Sequence, residues 1–85
     1  MDEARKFDPP FTLYEADRRS ALRIRRITGG WGVRRFFNQM GIHAGDEVRV
    51  LSRAPFGGPL VIESRKSRVA ISKQLAERVR VEVIP

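Results

Sequence analysis

His43, Asp46 and Glu47 are the residues of this chain whose types and spacing come nearest to binding a metal, and they lie within one short stretch. A borderline-soft cation needs a set of imidazole or thiolate ligands, yet His43 is the only histidine and there is no cysteine. Asp46 and Glu47 open a strand-like segment, where neighbouring side chains point to opposite faces and do not converge on one ion. Glu63 and Glu82 fall on the outward positions of alternating segments. No metal-ligand set is therefore assigned, and His43 reads as a solvated or hydrogen-bonded turn residue. Catalysis has no better footing, because Ser20, Ser52, Ser64, Ser67 and Ser72 have no partner motif and one histidine makes no serine–histidine arrangement. Gly29-Gly30-Trp31-Gly32 precedes a helix but lacks the Lys-Ser or Lys-Thr of a phosphate loop, so it reads as a lead-in to the helix. No catalytic or cofactor-binding residue is expected, no cofactor is called for, and the chain reads as a non-enzyme.

Two other features offer recognition chemistry. Ala54-Pro55-Phe56-Gly57-Gly58-Pro59-Leu60 is a loop with a specified shape: Gly57 and Gly58 accept positive φ, and each proline fixes its own φ and restricts the residue before it. Phe56 sits at the tip, where its ring is either folded back over the mouth of a barrel or held out for a partner. The second feature is Arg34-Arg35, placed off the apolar stripe of a helix. Arg34, Arg35, Pro55, Phe56, Gly57 and Gly58 are the expected partner-binding residues.

Eighty-five residues form one small domain that buries about 60–65% of its unfolded surface, leaving little room for an enclosed cavity. The absence of cysteine excludes a disulfide framework and suits a reducing cytoplasm. No segment has the length of a membrane span or the apolar run of a signal peptide, so a soluble, cytoplasmic protein is expected. Seventeen basic against ten acidic residues give a net charge of +7. That balance raises the question of nucleic acid, but the basic residues are spread along the whole chain, as on a solvated face.

Residues 1–10 are polar, end in Asp8-Pro9-Pro10 and read as a flexible tail, with the domain expected over 11–85. Leu13 to Ala16 reads as one helical turn. Ala21 to Ile27 is a strand with Leu22 and Ile24 inward, its alternation slipping at Arg26-Ile27 as at a bulge or a strand end. Val33, Phe36, Phe37 and Met40 recur at the spacing of a helix, which Gly41 ends and onto which Ile42 folds back. Glu47–Arg53 and Leu60–Ser64 form a hairpin about the Phe56 loop, burying Val48, Val50, Leu60 and Ile62. Arg65-Lys66 turn into a strand over Ser67–Ile71, Ser72 caps a single helical turn, and Arg78–Val83 alternates valine with charge. Five short strands and one helix make an all-β protein, a small SH3-like barrel with the helix after the first strand and the single turn before the last.

In their order, these motifs resemble the ferrous iron transport protein A (FeoA) family. The resemblance is carried by the Gly-rich turn, the Arg-Arg helix, Met-Gly-Ile-x-x-Gly at Met40–Gly45, Val-x-Val, the Ala54–Leu60 loop, Val-Ala-Ile at Val69–Ile71 and the terminal Ala76…Val79-x-Val81. It runs from about Thr12 to Ile84. It implies an SH3-like barrel acting as a small cytoplasmic accessory of FeoB, the large membrane GTPase-containing Fe(II) transporter, and related domains end metal-dependent transcription regulators. Departures from the pattern are Ala16 for a leucine, Arg19 for a glycine, Phe37 for a leucine and Lys66 for a turn glycine.

Two function classes follow. One is a protein–protein adaptor docking on the cytosolic region of the transporter; the other is a nucleic-acid-binding barrel using its basic surface. Single-strand binders stack bases on sheet aromatics, and the strands expected here contain none. That favours the adaptor.

Overall fold

Alternating apolar residues on short β segments leave one wet and one dry face, and the chain buries its dry face by bending a single sheet around it. The computed structural model describes residues 11–65 and 67–85, so the expected tail and Lys66 lie outside the described residues. Strands β1 (Phe11–Thr12), β2 (Leu22–Ile27), β3 (Glu47–Arg53), β4 (Leu60–Ser64), β5 (Ser67–Ile71) and β6 (Val79–Val83) form one antiparallel sheet in the order β1-β6-β2-β3-β4-β5. Helix α1 (Trp31–Gln39) follows β2, and α2 (Lys73–Ala76) precedes β6.

The two-residue strand β1 was not expected; it pairs Phe11 with Val81 and Thr12 with Arg80, and leads into a 3₁₀ turn at Leu13–Glu15. This turn packs against α2, which joins the two ends of the bent sheet. Leu22, Ile24, Val48, Val50, Leu60, Ile62, Ile71, Val79 and Val81 fill the interior. The expected hairpin is present, with Val50 opposite Ile62 and Arg53 opposite Leu60.

Bending comes from two bulges. In β3 the register shifts between Val50 and Ser52, and in β2 it shifts between Ile24 and Arg26. The slip of alternation at Arg26-Ile27 is therefore a bulge within a strand that continues to Ile27, and its extra residue leaves Arg25 and Arg26 both exposed.

Helix α1 buries Phe37 fully, with Val33 and Phe36 partly covered. Met40, expected on the apolar stripe, is exposed, because the helix ends at Gln39 and Met40 is its cap. Gly41 takes φ +75°, its N–H donates to Asn38 O at 3.0 Å, and Ile42 N–H donates to Phe37 O at 2.9 Å. This is a complete Schellman stop, and it drives Ile42 into the core. Ser72 caps α2 as expected, its Oγ accepting from Leu75 N at 3.2 Å. Val83, which continues the valine alternation, lies exposed at the end of β6.

Arg53 locks the hairpin to the 3₁₀ turn. Its Nη2 donates to the carbonyls of Tyr14 at 2.7 Å and Ala16 at 2.6 Å, and its guanidinium lies over the Tyr14 ring.

Candidate docking site

At the hairpin tip, Gly58 N–H donates to Pro55 O at 3.2 Å, closing a four-residue turn. Its central residues, Phe56 and Gly57, have φ +60° and +74°, the signs of a type I′ turn. Gly57 takes the positive φ expected of it, but Gly58 does not. Gly58 is needed for space: a Cβ there would lie 2.7 Å from Ala54 Cβ. The left-handed position expected of Gly58 falls instead on Phe56, whose side chain is fully exposed at 104% relative accessibility. Of the two dispositions open to the ring, it is held out.

Arginine 19 and Arg65 also have positive φ, at +68° and +56°. At Arg19 the backbone is tied at both ends, its N–H to Val50 O at 2.9 Å and its carbonyl to Arg49 Nη1 at 3.3 Å. The residue standing in place of a glycine thus occupies a glycine-like conformation. Phe56 has no comparable tether in its ring.

Arg34 and Arg35 lie on the outer face of α1 and line a groove of about 650 Å³ between that helix and the end of β2. The opposite wall is Arg25 and Arg26, re-aimed by the bulge, and Trp31 stands on the rim with 74% of its surface exposed. The Arg35 guanidinium sits 5.0 Å from the Trp31 ring centroid. Pro55, Phe56, Gly57 and Gly58 do not line this groove, so the six expected residues divide between two surface features. Arg25, Arg26 and Trp31 escaped the sequence reading; the signal for the first two was the broken alternation of β2.

His43 borders the groove, its Nε2 2.9 Å from Asn38 Oδ1, while its backbone N–H donates to Asp46 Oδ2 at 2.8 Å. Asp46 also lies 3.7 Å from Arg65 Nη2, Glu63 pairs with Arg68 at 3.8 Å and Glu82 with Arg25 at 3.5 Å. These carboxylates are spent on arginines rather than gathered about one point. Among the described residues no group of three histidine, cysteine or acidic side chains comes together as a metal site would require, and no helix is long and apolar enough to cross a membrane.

A single bent six-stranded antiparallel sheet, with one helix after β2 and one helical turn before the last strand, defines a small SH3-like barrel. Residues 11–83 match the FeoA domain model, and the chain belongs to the FeoA family. The crystal structure of an iron uptake regulatory protein (FeoA) is 33% identical, covers 86% of this chain and 96% of its own, and superposes with a TM-score of 0.78. A FeoA-like protein from Clostridium acetobutylicum is 29% identical over 88% of this chain and 87% of its own, with a TM-score of 0.78. A manganese-dependent transcriptional repressor shares the fold, with a TM-score of 0.82 at 23% identity over 89% of this chain and 43% of its own. A search of curated proteins finds no match.

Proposed function

We propose that this chain is a small accessory protein of ferrous iron transport that docks, on the cytoplasmic side, on the cytosolic region of the FeoB-type Fe(II) transporter and modulates it. Membership of the FeoA family supports the transport role. The docking reading rests on Phe56, an aromatic side chain fully exposed on a residue held at φ +60°. Backbone strain of this kind persists where surrounding structure imposes it and collects at binding and switch sites. A ring presented on a turn fixed by prolines and glycines loses little freedom on docking, and aromatic anchors dominate interface energetics. Arg34 and Arg35 add a charged surface that speeds encounter. The reading assigns this chain neither catalysis nor a resident metal.

The test is binding of the purified cytosolic region of the transporter, followed by calorimetry at two salt concentrations. Phe56→Ala should weaken binding at both, by about tenfold or more, as loss of a central aromatic does. Arg34→Glu with Arg35→Glu should weaken it mostly at low salt. An oligonucleotide titrated beside them tests the nucleic-acid alternative: tight oligonucleotide binding at physiological salt with no binding of the transporter region overturns the proposal.

A further inference from the structure

The groove beside α1 has a chemistry of its own. Its walls carry Arg25 and Arg26 from the β2 bulge and Arg34 and Arg35 from the helix, and none of its described lining residues is acidic. Elsewhere Arg49, Arg65 and Arg68 each have a carboxylate oxygen within 4.0 Å. In the groove only Arg25 is so placed, against Glu82, and no described carboxylate lies within that distance of Arg26, Arg34 or Arg35. Two pairs of arginines that stand apart in sequence are therefore brought together here in the fold. Half-buried Ile27 and the exposed Trp31 ring give the groove apolar lining, and Ile42 also lines it but is almost wholly buried.

We propose that this groove takes an acidic peptide segment of the partner, with one apolar side chain seated on Ile27 and the Trp31 ring and flanking carboxylates held by the guanidinium groups. This rests on the docking reading above and specifies the chemistry of the segment docked. Guanidinium forks match carboxylates in bidentate pairs, and the two walls offer such forks on either side of an apolar strip. A nucleic acid suits the groove less well. Arg35 already lies over the Trp31 ring, and the one aromatic among the described strand residues, Phe11, packs against the core, so among the described residues no row of stacking surfaces extends from the groove.

Trp31 is the only tryptophan, so intrinsic fluorescence reads this groove directly. The probes are a blocked nonapeptide of glutamate and aspartate with a central leucine, its glutamine and asparagine analogue, its analogue with serine for leucine, and a thymidine oligonucleotide of the same length. The acidic peptide should bind saturably and shift the emission to shorter wavelength. The amide analogue should bind about tenfold more weakly or worse, because its charge-assisted hydrogen bonds are gone, and the serine analogue about tenfold more weakly, because its apolar contact is gone. Arg26→Gln with Arg34→Gln should weaken the acidic peptide to the level of the amide analogue. Both positions are exposed, and an unchanged thermal midpoint confirms that the variant is folded. Equal binding of the acidic and amide peptides, tighter binding of the oligonucleotide, or no saturable change in emission overturns the inference.

The same double variant separates this inference from the reading beneath it. Transporter binding that Phe56→Ala weakens and the double variant leaves intact removes the groove proposal and keeps the docking. Acidic-peptide binding as stated, with no binding of the transporter region, removes the transporter as partner and keeps the groove.

Discussion

If Phe56 is strained for the benefit of a partner, relieving the strain should make the free protein more stable and the complex weaker. The left-handed conformation costs a residue with a Cβ about 1–2 kcal/mol. The ring, wholly exposed, buries nothing in return. Phe56→Ala keeps a Cβ at φ +60° and removes only solvated atoms, so stability should stay within about 0.5 kcal/mol of the parent. Phe56→Gly removes the strain but adds about 0.5–1 kcal/mol of backbone entropy to be lost on folding, for a net gain of about 0.5–1 kcal/mol. Phe56→Asn places before Gly57 the residue that type I′ turns favour and should gain a similar amount without the entropic loss. For a domain of this size the gain appears as a rise of about 2–8 °C in the thermal midpoint. Differential scanning calorimetry of the four proteins reads it, and titration with the transporter region should show all three variants weakened. A glycine or asparagine variant less stable than the parent would refute the strain argument. An alanine variant destabilised by more than about 1 kcal/mol would show that the ring supports the fold.

Three further substitutions test the scaffold. A Cβ at Gly41 meets nothing within 4 Å but is forced to φ +75°, so Gly41→Val should lose about 1–2 kcal/mol in urea denaturation, and an unchanged midpoint would contradict the Schellman stop. Gly58→Ala drives a Cβ against Ala54 and, at 3.2 Å, the Pro55 carbonyl; thermal melting should show a loss of about 1–3 kcal/mol, and none would mean that the loop yields freely. Arg53→Met removes two charge-assisted hydrogen bonds to the carbonyls of Tyr14 and Ala16 and should cost about 2–3 kcal/mol. Amide exchange should then quicken in the 3₁₀ turn, and unchanged protection there would show that Arg53 does not hold it.

What the sequence made legible was local chemistry. The Phe56 hairpin, the stop at Gly41 and the cap at Ser72 each depend on residues within one turn of one another, and each is found as expected. Most of the misses depend on distant partners. Strand β1 exists because Val81 and Arg80, some seventy residues away, offer it a ladder. One miss is local: the turn centres on Phe56 and Gly57, so the positive φ expected at Gly58 falls on Phe56, and Gly58 serves instead to leave room for Ala54. The grouping of Arg25 and Arg26 with Arg34 and Arg35 combines a bulge with the packing of a helix, and neither the even spacing of arginine nor the net charge discloses it. Arg53 read as one more surface cation, although its carbonyl partners lie 37 and 39 residues earlier.

The two surface features differ physically, and on the docking reading that difference assigns them different roles. Charge acts at a distance of about a Debye length, about 8–10 Å at ordinary salt, so the groove arginines raise a partner's rate of arrival before contact as well as holding its carboxylates afterwards. A ring on a rigid turn acts only once it is covered, so Phe56 sets mainly the rate of departure. The tip residues do not line the groove, and the two contributions are therefore separable by mutation. Neutralising Arg26 and Arg34 should slow association, flatten its salt dependence and also raise the off-rate, because the paired contacts of the groove are lost. Truncating Phe56 should raise the off-rate while leaving association and its salt dependence nearly unchanged. A surface evolved only for solubility would show neither pattern, because scattered charges change both rates little and an exposed ring on a strained turn would have no reason to be kept.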